Sequence, residues 1–233
     1  MTPDEEKKQA ALEAVKYIKN NMVLGLGTGS TAKHMIEAVG KLVSEGMNLT
    51  CVPSSEATEK LALQLGIKIV ALHEVDKIDI TIDGADEFNA DFQLIKGGGG
   101  ALLREKILAW NTTCNIIIAD SSKDVKKLGA FKLPIEVIPF ATKQIVAFLE
   151  AEGLKPVQRM NENQPYRTDE NNVIIDVDIL EIDDLQSLEI KLLKVPGIVE
   201  TGLFLNTTSM IIVGKDGGPE VKSAINKKAV KIR

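Results

Sequence analysis

Apolar residues along this chain change their spacing several times, and the changes divide it into elements. Ala11, Ala14, Val15 and Ile18 recur at helical intervals, which predicts an N-terminal helix with one packed face. Its start is marked by Thr2 as N-cap, Pro3 at the first helical position and Glu5 as a capping-box partner. Met22 to Leu26 is a short apolar run ending in glycines, the pattern of a buried strand feeding a turn, and a helical pattern follows from about Ala32 to Val43. Further strands are predicted at 49–52, 68–72, 78–82 and 115–119, with helices at 57–64 and 101–110. Strands alternating with helices predict a mostly parallel sheet covered on both faces, a Rossmann-like α/β domain.

Near Phe131 the punctuation changes. The order becomes strand 135–138, helix 142–152, strand 155–160, a polar turn through 161–171, strand 173–177, helix 185–193 and strand 198–205. That βαββαβ order predicts a second, smaller α+β domain of ferredoxin-like type. Met210 to Val213 is a further apolar run, expected to return to the first sheet. The expected division is therefore 1–130 plus 207–233 for the larger domain and 131–206 for the smaller.

Composition narrows the chemistry. At 233 residues, 44% hydrophobic and 26% charged, the chain can bury a full core. Its net charge of -5 argues against nucleic acid or an anionic membrane surface as the main partner. The only two cysteines, Cys51 and Cys114, lie in apolar runs and are expected to be buried and reduced. His34 and His73 are too few and scattered for a histidine metal site or relay, so chemistry must rest on carboxylates, lysines and backbone. A charged N-terminus without a following apolar core, and no run of membrane-spanning length, make the cytoplasm the expected compartment.

Four segments could carry chemistry. Gly25 to Thr31 lies between a buried strand and a helix, where free N–H groups and the helix dipole attract an anion. It fits neither a Rossmann fingerprint, because Ser30 stands at the third glycine, nor a P-loop, so a phosphate cradle or a plain tight turn are the open readings. Asp83-Gly84-Ala85-Asp86-Glu87 gathers three carboxylates at a strand's carboxyl end, open to catalysis, helix capping or a divalent metal. The metal ranks lower because cationic side chains stand nearby to fill that role.

Lys96 enters four consecutive glycines, Gly97 to Gly100, an entropically costly run that marks close approach to a ligand unless it is merely a linker. The helix that follows carries Glu105. Lys123, after the strand ending at Ala119 and Asp120, could reach a phosphate or simply be solvated. Ligands in open parallel sheets bind beyond the carboxyl ends of the strands, and three of these segments directly follow predicted strands while the fourth lies between two of them.

Together these segments, GLGTGSTA at 25–32, DGADE at 83–87, KGGGGALLREK at 96–106 and ADSSK at 119–123, resemble ribose-5-phosphate isomerases of the type A family. Supporting stretches at 54–61, 133–141 and 196–204 extend the resemblance over nearly the whole chain. Departures are Gly100, where the family often carries alanine, and the tail beyond Gly217.

The resemblance implies a metal-free and cofactor-free homodimer or homotetramer acting on a small sugar phosphate in the pentose phosphate pathway, with the smaller domain at the subunit interface. It further implies Glu105 as catalytic base and Thr28, Gly29, Ser30, Thr31 and Lys123 holding substrate, chiefly its phosphate. Asp83, Gly84, Ala85 and Asp86, with Lys96, Gly97, Gly98 and Gly99, would surround the reacting end. Among these Lys96 is expected to stabilise charge on oxygen, and Asp83 or Asp86 to shuttle protons, the two not being distinguished. Two rivals stand against this: a non-catalytic sugar-phosphate sensor, which lacks a helix-turn-helix here, and a nicotinamide-dependent dehydrogenase, disfavoured by the broken fingerprint. Lys222, Lys227, Lys228, Lys231 and Arg233 are expected to form a solvated terminal helix.

Overall fold

A computed structural model of the protein describes residues 1–224. In chain order its first half runs α1 (Pro3–Ala14), β1 (Val23–Leu26), α2 (Ser30–Ser44), β2 (Thr50–Pro53), α3 (Glu56–Gln64), β3 (Ile78–Gly84), β4 (Glu87–Phe88), β5 (Leu94–Ile95), α4 (Leu102–Trp110) and β6 (Thr112–Asp120). The second half runs β7 (Leu133–Val137), α5 (Thr142–Ala151), β8 (Val157–Gln158), β9 (Met160–Asn161), β10 (Gln164–Pro165), β11 (Val173–Val177), α6 (Leu185–Leu193), β12 (Ile198–Thr201), β13 (Leu203–Phe204), β14 (Met210–Gly214) and β15 (Glu220–Ser223).

Contacts divide the chain into two compact units, one of Met1–Ala85, Arg104–Asp124 and Asn206 onward, the other of Asp86–Leu103 and Val125–Leu205. The first unit holds a six-stranded sheet in the order β15-β14-β6-β3-β1-β2, parallel throughout except for the β14–β15 pair. Ile80, Ile82, Ile116, Ile118 and Ile212 are buried in one cluster with Ala10, Ala11 and Ala14 of α1 and Met35, Ile36 and Val39 of α2. Each large side chain removed from water there contributes about 1.5–3 kcal/mol. α1 begins as expected: Thr2 accepts from the Glu5 N–H and the Glu5 carboxylate accepts from the Thr2 N–H. Register matters most at the other end of the strands. Leu26 lies beside Ile82, and Gly84 beside Ile118, so the loops leaving β1, β3 and β6 emerge from one edge of the sheet.

The second unit contains the antiparallel sheet β12-β7-β11-β8, backed by α5 and α6 through Leu133, Ile135, Val137, Ile145, Leu149 and Leu192. The first and third strands of the βαββαβ run occupy its centre, the ferredoxin-like order. A β9–β10 hairpin and a three-stranded sheet, β13-β5-β4, complete the unit.

The structure differs from the sequence expectations at several points. Residues 86–103, expected with the larger domain, cluster with the second unit because β4 and β5 pair with β13. The expected strand at 198–205 breaks at Gly202: Ile198–Thr201 pairs with β7, whereas Leu203–Phe204 pairs with β5. At 68–72 only Ile69 forms a bridge, to Cys51. Lys222 lies in β15, not in a helix, and its ammonium is 2.5 Å from the Asp124 carboxylate. Lys227, Lys228, Lys231 and Arg233 lie outside the described residues. Both cysteines are free, Cys51 buried and Cys114 half-buried, and burial pushes the Cys51 thiol up to about 12. Among the described residues no helix is long and apolar enough to cross a membrane.

Glu136 in β7 is 1% exposed and accepts hydrogen bonds from Thr168 Oγ1 and Asn172 Nδ2, both at 2.9 Å. Burial pushes its carboxyl above the ordinary 4.5, against the pull of those two donors. The native chain therefore holds this proton more tightly than the unfolded chain, so the native state is favoured at low pH and loses that advantage as pH rises through the raised value. In urea unfolding between about pH 4 and pH 8, wild type should lose stability relative to Glu136→Gln as pH increases. A difference that does not vary with pH would show that Glu136 titrates normally.

Candidate active site

The β1–α2 turn is shaped by what fills the space beside it. A Cβ on Gly27 would lie 2.1 Å from Asp83 Oδ1, and that oxygen accepts from the Thr28 N–H at 3.0 Å and the Gly84 N–H at 2.7 Å. Asp83 is 2% exposed, and its charge holds the turn against the end of the neighbouring strand. Gly29 caps α2 and Ser30 opens it, so the amides of a 15-residue helix start here, with the positive end of its dipole. Thr31 is buried. The Thr28 hydroxyl lies 2.7 Å from Ser54 Oγ and 2.8 Å from Ser55 Oγ, with Thr58 Oγ1 at 3.2 Å.

Two residues that sequence reasoning missed reach the same edge from α1. Lys7 Nζ donates to Ser30 Oγ at 3.1 Å, and Glu6 accepts from Ser121 N at 2.8 Å and Ser121 Oγ at 2.7 Å. They link the loop after β1 to the turn after β6, where Lys123 stands half-buried. In the sequence they read as ordinary solvated charges of a first helical turn; only the packing of α1 across β6 and β14 reveals their reach. Glu105 lies in the first turn of α4 and is 5% exposed.

In the second unit, Asp86 accepts the Gly98 N–H at 2.7 Å, and a Cβ on Gly98 would sit 2.5 Å from Asp86 Oδ1. Lys96 is 3% exposed; its N–H donates to the Gly202 carbonyl and its ammonium lies 5.4 Å from the Phe204 ring centre. Glu87 accepts from the N–H groups of Gly129 at 2.7 Å and Phe131 at 2.6 Å. The three acids of 83–87 thus diverge, each holding a different stretch of backbone. Among the described residues no three His, Cys, Asp or Glu side chains gather as a metal-ligand set. The structure brings Asp83 together with the β1–α2 turn, and Asp86 together with the glycine loop after Lys96.

The match to known proteins decides what this arrangement belongs to. Residues 50–218 match the family model described as ribose 5-phosphate isomerase A (phosphoriboisomerase A). The chain belongs to that family. A ribose-5-phosphate isomerase A from Limosilactobacillus reuteri is 52% identical over 220 residues, covering 94% of this chain and 97% of the relative. One from Bifidobacterium adolescentis is 48% identical over 226 residues, covering 96% and 97%. Among solved structures, a D-ribose-5-phosphate isomerase in complex with phospho-erythronic acid superposes with a TM-score of 0.93 at 39% identity, covering 96% of this chain and all of the other. The isomerase from Methanocaldococcus jannaschii gives 0.91 at 39% identity, covering 95% of this chain. The α/β fold with its mostly parallel sheet and smaller sheet domain is the family's.

Gly27→Ala should place its methyl group against Asp83, with 2.1 Å to Oδ1 and 2.5 Å to Cα, so relief by side-chain rotation alone is blocked. A loss of about 1–3 kcal/mol in unfolding free energy is expected from such overpacking. An unchanged urea midpoint would show that the turn tolerates a side chain.

Proposed function

We propose that this protein interconverts ribose 5-phosphate and ribulose 5-phosphate in the pentose phosphate pathway, with Glu105 as the general base. The observation that carries the reading is the burial of two residues of a kind that water normally claims: Glu105, 5% exposed, and Lys96, 3% exposed. Both lie in KGGGGALLREK at 96–106, one of the four segments that together carry the resemblance.

Isomerisation removes the proton from C2 of the aldose, forms a cis-enediolate, and returns a proton to C1. One carboxylate working on one face serves both transfers. Negative charge grows on the carbonyl oxygen as the proton leaves, so an ammonium aimed there stabilises the transition state more than the substrate. Lys96, with the N–H groups of Gly97 and Gly99, takes that role. Asp83 or Asp86 moves the proton between the two sugar oxygens. The phosphate is taken by the amides from Gly29 to Thr31, by Ser30 and Thr31 hydroxyls, and by Lys123. Lys7, already 3.1 Å from Ser30 Oγ, supplies a second cation. Fixing the phosphate away from the reacting carbons orients them against the base.

The reading includes a cytoplasmic homodimer or homotetramer, supported by the resemblance alone. The chemistry is tested with ribose 5-phosphate in deuterated buffer containing a chelator. Ketose should form with deuterium at C1, and a chelator-sensitive rate would remove the metal-free mechanism. Glu105→Gln should keep substrate binding while turnover falls roughly 10²–10⁴-fold. Near-normal turnover would exclude Glu105 as base. Lys96→Ala should also lower kcat, and an unchanged rate would move the electrophile elsewhere. Lys7→Ala should raise KM by about 10-fold with kcat little changed, as for a cation that binds ground state and transition state alike. Kinetics at varied ribose 5-phosphate check this, and an unaltered KM would place the phosphate away from Lys7.

A further inference from the structure

The four glycines after Lys96 are held from behind. Arg159, just past β8, donates from NH1 to the Gly97 carbonyl at 2.8 Å and to the Gly98 carbonyl at 3.1 Å. Tyr166 donates its hydroxyl to the Gly99 carbonyl at 3.0 Å. Three successive carbonyls of the loop therefore face two side chains of one polar segment, 159–166, which sequence analysis read only as the end of a strand and a turn.

Those two side chains are themselves fixed. The Arg159 guanidinium forms a fork on Asp176 of β11, Nε to Oδ2 at 2.9 Å and NH2 to Oδ1 at 2.5 Å. Only 16% of the Arg159 side chain and 19% of the Asp176 side chain remain exposed, so the pair is set in the unit rather than waving from it. The guanidinium also lies 5.9 Å from the Tyr166 ring centre, and the Tyr166 N–H donates to the Arg159 carbonyl at 3.0 Å. Burial pushes the Tyr166 hydroxyl above its ordinary value. Gly100 has φ +82, and a Cβ there would sit 2.2 Å from the Tyr166 oxygen, so glycine at this position is what lets the hydroxyl in.

Peptide planarity turns this into orientation. In a trans peptide the N–H of one residue points opposite to the carbonyl of the residue before it. Anchoring the Gly97 carbonyl on Arg159 aims the Gly98 N–H at Asp86, where it is found. Anchoring the Gly98 carbonyl on the same guanidinium aims the Gly99 N–H away from Arg159, on the side opposite the clamp. A loop of four glycines would otherwise sample many such orientations.

We propose that Arg159 and Tyr166 are positioning residues for the isomerisation: by holding the carbonyls of Gly97, Gly98 and Gly99 they fix the loop so that the Gly99 N–H faces the oxygen that gains charge, the Gly98 and Gly100 N–H groups being taken by Asp86 and by the Gly97 carbonyl. The proposal rests on the isomerase reading above. Neither residue touches substrate; both act through backbone. Their effect is therefore on the transition state, where charge is largest, and not on phosphate binding.

The test compares wild type, Arg159→Ala and Tyr166→Phe. Arg159→Ala should lower kcat by about 10²-fold, the cost of a small misplacement in a preorganised site, and Tyr166→Phe by about 3- to 10-fold, since it loses one donor of the clamp. KM for ribose 5-phosphate and inhibition by inorganic phosphate should stay within about threefold. Affinity for 4-phosphoerythronate, whose carboxylate carries negative charge where the enediolate would, should fall in step with kcat/KM. Added guanidinium ion should restore part of the Arg159→Ala rate. Hydrogen exchange at Gly98 to Gly100 in the free protein should quicken at least about 10-fold in Arg159→Ala, with β7 and β11 still protected.

Unchanged kcat in both variants would overturn the proposal, as would unchanged exchange in the loop. A fall in kcat accompanied by lost protection across β7 and β11 would make Arg159 a structural residue, and Tyr166→Phe, which deletes a single oxygen, then decides: an unchanged kcat there overturns the proposal. Failure of wild type to convert ribose 5-phosphate would sink the isomerase reading instead, and the exchange measurement would still report on the clamp.

Discussion

One interaction recurs wherever this fold must hold an irregular loop: a carboxylate captures backbone N–H groups. Asp83 takes those of Thr28 and Gly84, Asp86 that of Gly98, Glu87 those of Gly129 and Phe131, and Glu6 that of Ser121. Glycine-rich loops carry the largest entropic penalty on ordering, of the order of 1–2 kcal/mol for each residue's backbone. A hydrogen bond to a charged acceptor offsets about 1.5–3 kcal/mol each, more than a neutral one could. The acids expected to cluster for chemistry or for a metal are thus first of all structural anchors. Asp83 and Asp86 are in that sense fixed in place by the loops they hold.

The division of labour in the glycine run follows the same logic with the signs reversed. Asp86 receives an amide from one side, while Arg159 and Tyr166 supply donors to carbonyls from the other. A loop with no side chains of its own is thereby given a fixed polarity. The stiffness comes from neighbours, which is why a segment that reads as a linker in isolation can be an ordered part of the fold.

Much of this was legible in the sequence, and the reasons for what was not are specific. Capping at Thr2 and Glu5, the buried parallel strands and the βαββαβ order all depend on residues close together in the chain. Those local signals carried through. Lys7 and Glu6 could not be read, because their partners Ser30 and Ser121 lie 23 and 115 residues away and nothing in an exposed helical turn reports such a contact. Arg159 and Tyr166 were hidden for the same reason, being 61 and 67 residues from the carbonyls of Gly98 and Gly99 that they hold. The strand at 198–205 reads as one because apolar residues, Ile198 and Val199 and then Leu203 to Leu205, stand on both sides of Gly202; hydrogen-bond partners distinguish its two halves. The hydroxyl cluster of Thr28 with Ser54, Ser55 and Thr58 is likewise invisible in the sequence, Thr28 being 26 to 30 residues from the other three.

The six-stranded sheet ends in two different ways. At one margin β15 runs antiparallel to β14, needing no crossover helix, and carries Glu220 and Lys222 among its four residues. At the other, among the described residues, β2 is met outside by a single bridge, from Ile69 to Cys51. An open parallel sheet would otherwise expose continuous rows of unpaired amides, which invite strands from other molecules. Here one row is covered by a short charged ribbon and the other is interrupted after one rung. The fold therefore offers poor templates for runaway growth into fibres, a property set at its margins and independent of whatever reaction is carried out beyond the strand ends.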